Sequence, residues 1–358
     1  MNALEIAALL RRLRRELPVY TPQSLAQALG LPARCFGQAE PDGPIVLHAL
    51  DQTSPEALLL RGTIFWPRTR HIVRGLPRVL PTSDYNPLRF QALQEPLMAQ
   101  AARSGEVVVE PKLYGAGVRL YREAGDLYCA TDVAHDGGNP LIAAAPGAAG
   151  LSGLDYGSQA ARLVAQRYPK VERLARLGYV AAFILQMPEL APNETVTRPD
   201  LILIDVVDPD CQFVDRLEKE RIAEDYEMSV APLLGRVTLQ NDEPQHLLRR
   251  LRAYEHQALP PGAGGFVVKA QQGEGSDQMV CKIEPASERD RDRAPASADL
   301  SAVTEEIAGQ WGQSVWDDPI LAEELMLDYL GTLHRSARWK VHAYLETWRA
   351  ARRLAGLA

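Results

Sequence analysis

The spacing of apolar and polar positions predicts a mixed order of helices and strands. Residues 2–17 and 22–30 read as short helices, the second opened by an N-cap at Thr21 and by Pro22 in the first turn. Residues 58–80 read as strands. Asn86-Pro87 opens a helix to Arg103, with Leu88, Phe90, Leu93, Leu97 and Met98 on its apolar face. The period then changes. Val107, Val108 and Val109 predict a strand ending at Lys112, and 118–129 predicts a hairpin around Ala124-Gly125-Asp126. Asp136 to Pro140 is a turn. Residues 157–176 read as a helix, 179–187 and 200–207 as strands, 215–226 and 243–258 as helices, and 265–271 and 278–284 as strands. Beyond a polar segment, 300–312, 319–333 and 335–354 read as helices, with Val341, Leu345 and Trp348 on one face of the last.

This order predicts an α+β chain in four parts: a helical and mixed segment at 1–57, an antiparallel-sheet domain at 58–285, a linker at 286–298 and an all-helical C-terminal domain at 299–358. A length of 358 residues also suits more than one compact unit. No apolar run approaches the roughly 18 residues of a membrane span. The first segment places its arginines after its apolar residues, the reverse of a secretory leader. The four cysteines, Cys35, Cys129, Cys211 and Cys281, stand far apart and form no C-x-x-C pair, which speaks against a zinc site or a disulfide framework. A reducing, cytoplasmic setting is expected.

Net charge is −7, so the whole molecule has no basic footprint. Locally the balance reverses. Arg61, Arg68, Arg70, Arg74 and Arg78 stand with His71 and no acid between 61 and 78, and a second basic run covers 335–353. Such runs suit phosphate-rich partners, and equally suit a solvated face.

The richest stretch is Glu110-Pro-Lys112-Leu-Tyr114-Gly115-Ala-Gly-Val-Arg119, where a lysine at a strand end precedes a glycine that permits a tight turn. K-x-x-G alone is a weak signal, and order along the chain strengthens it. Pro188-Glu189-Leu190 comes next, then Leu201-Ile-Leu-Ile204-Asp205, Gly264-Gly-Phe-Val-Val-Lys269, and Met279-Val280-Cys-Lys282-Ile. In this order the sequence resembles the covalent nucleotidyltransferases, the superfamily of DNA ligases, RNA ligases and mRNA capping enzymes. Within it the chain is most similar to the RNA ligases. Arg61-Gly-Thr-Ile-Phe65 and Ile72-Val-Arg74-Gly precede the lysine as a comparable segment does there. The resemblance covers residues 58 to 285. It departs at Gly264, where the family has glutamate, at Tyr114, where aspartate is common, at Ile204, where an aromatic is usual, and at Val280, where a lysine is usual. Glu189 and Gln186 compete for one ribose-facing role.

The resemblance implies a nucleotidyltransferase (ATP-grasp-like ligase) fold, ATP with Mg2+ or Mn2+ as cofactors, and RNA ends as partners. It implies Lys112 as the residue that takes AMP, with Lys269 and Lys282 assisting. It implies nucleotide contacts from Glu110, Gly115, Arg119, Glu189 and Asp205, and phosphate or RNA contacts from Arg61 and Arg74. Metal ligands are not assigned. The helical tail is a candidate homodimer surface. The chemistry needs a neutral amine, and populating one at pH 7 costs roughly 4–5 kcal/mol for a free lysine, a cost that burial and nearby cations reduce. Two alternatives stand beside the RNA ligase. One is a DNA ligase or capping-type enzyme, disfavoured by helices where those carry a barrel. The other is a ligase-like domain that only binds RNA ends.

Overall fold

A computed structural model describes residues 3–48, 60–76, 80–81, 106–138, 154–190, 196–238, 254, 257–270 and 279–283. The helix expected over 86–103, most of the one expected over 243–258, Arg78, the linker and the whole C-terminal helical domain lie outside the described residues.

Helices α1 (Ala3–Glu16) and α2 (Pro22–Leu29) lead into strands β1 (Phe36–Gln38), β2 (Ile45–Leu47), β3 (Ile64–Phe65) and β4 (Ile72–Val73), which form one antiparallel sheet in that order. Thr21 caps α2 as its sequence predicts: Ser24 N–H donates to Thr21 Oγ1 and Thr21 N–H to Ser24 Oγ, each at 3.0 Å. Strand β2 pairs with β3, so the sheet crosses the expected boundary at residue 57. Ile6, Leu10 and Leu25 share a core with Phe65 and Ile72. The N-terminal helices and strands therefore form one unit with β3 and β4, because three-residue strands cannot bury a face alone.

The second sheet has the order β10-β9-β7-β8, all antiparallel, from β7 (Ala116–Glu123), β8 (Asp126–Ala130), β9 (Val180–Gln186) and β10 (Asp200–Val207). Helices α3 (Tyr156–Arg167) and α4 (Val171–Arg176) cover it. The expected helix over 157–176 is two helices. Pro169 has no N–H and disfavours helical geometry at Tyr168, whose φ is −128°. Leu163, Leu174, Phe183, Leu185 and Leu203 fill the space between helices and sheet, each large apolar side chain contributing about 2 kcal/mol by burial.

The third sheet runs β11-β6-β12-β13-β5, from β5 (Leu80–Pro81), β6 (Glu106–Leu113), β11 (Gly235–Thr238), β12 (Ala263–Ala270) and β13 (Met279–Ile283). Its pairs are antiparallel except β13 with β5. Strands β6 and β7 are consecutive yet belong to different sheets. Gly115 makes that switch at φ +129°, and a Cβ there would meet Leu185 O at 2.3 Å. Helix α5 (Arg216–Asp225), capped by the Asp215 carboxylate on Glu218 N–H at 2.8 Å, adjoins β10. Among the described residues no helix is long and apolar enough to cross a membrane.

Candidate active site

Lys112 lies on β6 beside a break in the ladder. Leu113 pairs with Ala263 and Pro111 with Phe266, so Lys112 stands opposite the two-residue bulge Gly264–Gly265. A bulge bends its strand and re-aims neighbouring side chains. The turn after Lys112 is tied down through its backbone. Tyr114 N–H donates to Gly262 O at 2.8 Å, and Gln186 Nε2 donates to Tyr114 O at 3.3 Å and Gly262 O at 3.1 Å. The side chain of Lys112 is half-buried.

Two residues back along the same strand face, Glu110 is 1% exposed and organises a buried ionic cluster. Its Oε1 accepts from Arg216 Nη1 and Lys219 Nζ, both at 2.6 Å, and its Oε2 lies 2.9 Å from Lys269 Nζ. Lys269 Nζ also donates to Asp205 Oδ1 and Ile204 O, both at 2.8 Å. Lys219 reaches the same Ile204 carbonyl at 2.7 Å. Ile204 falls at a register shift in β10. Arg216 closes the set on Glu220 Oε1 at 2.6 Å, so three cations face three carboxylates. That balance matters, since an unpaired buried ion costs several kcal/mol.

These neighbours displace the proton equilibria. Burial opposes the charge on Glu110, but Lys269 and Lys219 outweigh it and bring its pKa down to about 2. Burial, with Lys269 beside it, lowers Lys219 to about 8. For Lys269 burial works against the charge, while Asp205 and Glu110 prevail and raise its pKa.

The structure thus brings Glu110, Asp205 and Lys269 together near Lys112 and corrects the role expected for Lys269. An ammonium has three N–H donors. Those of Lys269 go to Asp205, Glu110 and Ile204 O, leaving none for a phosphate in this arrangement. In this structure Lys269 ties β12 to β6 and to β10. Lys282 of β13 is the register partner of Val267, which is itself opposite Glu110, so the three positions form one row across the sheet. Glu189 sits on the single turn Pro188–Leu190 after β9.

The arginine expectations are corrected further. Arg119 is 1% exposed and donates to Gly62 O at 2.7 Å, Arg74 O at 3.1 Å and Thr131 O at 2.6 Å. It joins three segments through their carbonyls rather than facing a nucleotide. Arg74 is also 1% exposed, donating to Cys211 O at 2.8 Å with its guanidinium 4.5 Å above the Phe213 ring. A buried guanidinium cannot meet RNA. Arg61 pairs with Asp132 at 3.5 Å, Arg68 with Asp42 at 3.3 Å, and His71 with Glu123 at 2.5 Å. Arg70 donates to the carbonyls of Arg14 and Leu17 at 2.6 and 2.8 Å. The run without acids in sequence acquires them in space.

Sequence reasoning missed Arg216 and Lys219. Helix α5 buries Arg216, Lys219, Ile222 and Ala223 and leaves Leu217 72% exposed. The available signal was two basic residues in the row of Ile222 and Ala223, at spacings of three and four.

Among the described residues no group of three or more His, Cys, Asp or Glu could hold a metal ion. Glu110 and Asp205 are committed to cations and do not fit a protein-built metal cage.

No family model matches the chain, and no curated protein matches it. Solved structures do. An archaeal ATP-dependent RNA ligase is 13% identical at a TM-score of 0.49, over 92% of this chain and 81% of that one. A chain provisionally described as an ATP-dependent DNA ligase of Aquifex aeolicus is 18% identical at 0.44, over 92% and 77%. A Naegleria gruberi RNA ligase variant solved with ATP and manganese is 13% identical at 0.41, over 55% of each chain. The chain is similar to ATP-dependent RNA and DNA ligases at this distance, and its own function rests on its residues.

Proposed function

We propose that this chain is an ATP-dependent RNA ligase that works through a lysyl–AMP intermediate on Lys112. The observation that carries the reading is the placement of Lys112: at the end of β6, opposite a two-glycine bulge, with Glu110 of β6 and Lys269 of β12 joined in one cluster to Asp205 of β10. The motif order read from the sequence supplies the rest.

In this reading the neutral amine of Lys112 attacks the α-phosphorus of ATP. An N–P bond forms, the bond to pyrophosphate breaks, and the amine loses a proton. The AMP then passes to an RNA 5′-phosphate, and a 3′-hydroxyl displaces it to seal the strand. The chain's own part is to fix the amine. Glu110 and Asp205 neutralise Lys219 and Lys269, so the β6–β12–β10 junction is rigid without added charge. A divalent ion bound with ATP would supply charge neutralisation on the triphosphate. RNA ends as partners and assembly through the C-terminal segment belong to the same proposal.

The test is incubation with α-labelled ATP and a divalent ion, followed by a denaturing gel. The protein should take label and Lys112→Ala should take none while melting as wild type does. A labelled Lys112→Ala protein would end the assignment. Matched 5′-phosphorylated RNA and DNA strands separate the substrates, and preferential sealing of DNA would replace RNA ligase by DNA ligase. A second reading, an RNA-end binder without catalysis, draws on Gly264, which bears no carboxylate where the family does. It predicts no label at all with RNA binding retained.

A further inference from the structure

Gly264 lies directly against an aromatic ring. A Cβ built on it would come within 2.5 Å of Tyr114 Cε1, 2.7 Å of Cζ and 3.0 Å of the hydroxyl oxygen. Carbon atoms do not approach so closely without displacement. Position 264 can therefore carry no side chain while the ring stays in place. The backbone of Tyr114 is fastened too, its N–H on Gly262 O at 2.8 Å and its carbonyl under Gln186 Nε2 at 3.3 Å. Ring, donor and acceptor hold one residue at three points. That residue stands between Lys112 and Gly115, whose own backbone is pressed against Leu185 O.

We propose that Tyr114 is a positioning residue for Lys112, and that Gly264 is bare in order to seat its ring. The proposal rests on Lys112 as the adenylyl acceptor. A lysine amine sits at the end of a flexible four-carbon stem, so its aim depends on how firmly the strand end beneath it is held. Clamping Tyr114 onto the bulge fixes the Cα of Lys112 relative to β12. Two of the four positions at which the sequence departs from the ligase pattern are thus one exchange: the ring of residue 114 occupies the room that a side chain at 264 would need. The pair also limits which substitutions the corner tolerates, since a side chain at 264 requires the ring of residue 114 to move or to be removed.

A double-mutant cycle tests this, using Tyr114→Ala, Gly264→Ala, their combination, and Tyr114→Phe in the full chain. Gly264→Ala should lower the melting temperature when Tyr114 is present and much less when residue 114 is Ala. Tyr114→Ala should slow formation of the AMP adduct by at least about tenfold, with ATP half-saturation changed by less than about twofold, because misplacement of a reacting group acts on the rate. Tyr114→Phe keeps the ring and should keep the rate. An equal effect of Gly264→Ala in both backgrounds would overturn the clamp, as would a wild-type adduct rate in Tyr114→Ala or a loss confined to ATP half-saturation. If the wild-type protein takes no AMP, the ligase reading fails and the clamp is judged on two other readouts. These are the melting cycle and the reaction of Lys112 with an amine-reactive reagent, read by peptide mass spectrometry. That reaction should change in Tyr114→Ala, and identical modification would overturn the clamp.

Discussion

At the scale of the residue, buried charge is tolerated where it is paired, and His48 is the contrasting case. Its ring is 3% exposed, and neither nitrogen meets a hydrogen-bond partner among the described residues. Burial, then the neighbouring Arg61, lowers its pKa from 6.5 to about 4, against a smaller opposing effect of Asp132. The unfolded chain therefore binds a proton that the folded chain refuses between those values. Stability that is complete above pH 6.5 is lost as pH falls through that window, by about 3 kcal/mol in all. His48→Leu should flatten this part of the stability–pH curve, measured by denaturant titration at successive pH values. An unchanged acid slope would show that His48 is not the group responsible. Glu110 acts in a lower window: held at about 2, its contribution is present above the ordinary carboxylate range and disappears as pH falls through that value. Neither effect was legible in the sequence, where His48 follows the short apolar strand β2 and Glu110 follows three valines in β6.

At the scale of the element, the hairpin β7–β8 formed where its turn signal stood. Ala124 and Gly125 take φ of +49° and +100°, the positive pair that suits a two-residue connection between twisted strands. Alanine bears a strain there that asparagine tolerates. Ala124→Asn should raise stability by about 1 kcal/mol without altering AMP labelling, and a lower melting temperature would contradict the turn geometry. Helix α5 is the opposite case. Its acids and bases alternate along the sequence, and tertiary pairing selected the face on which Arg216 and Lys219 stand in the row of Ile222 and Ala223. The break at Pro169 is legible in the sequence, since one proline outweighs the periodicity on either side of it.

At the scale of the whole molecule, Arg119 joins the first sheet to the second. Its guanidinium connects the loops at Gly62 and Arg74 with the end of β8 at Thr131. Arg119→Met would leave those three carbonyls without their donor, and should cost at least about 3 kcal/mol. Unfolding by circular dichroism reads this, and a loss under about 1 kcal/mol would show that the sheets hold together without it. Arg74 belongs to the same scale. Buried against Phe213 and Cys211, it should affect folding rather than RNA affinity. Arg74→Ala should lower the melting temperature and leave the salt dependence of RNA binding as it is, because that slope counts phosphate contacts. A flatter slope with normal melting would return Arg74 to the RNA surface.

The sequence by itself determined the strand that carries Lys112, the glycine that turns the chain after it, the hairpin, the cap of α2, and the order in which Lys112, Asp205, Lys269 and Lys282 occur. All of these are local: a period, a turn pair or a spacing acts within a few residues. Tertiary structure alone decided which charges meet. Arg216 and Lys219 come to Glu110 across more than 100 positions, Asp132 and Asp42 come to a run of arginines that has no acid of its own, and Tyr114 comes to rest on Gly264. Spacing along a chain carries no information on partners brought in by another strand. Coulomb energy and excluded volume act on distance in space, and only the folded sheets set those distances.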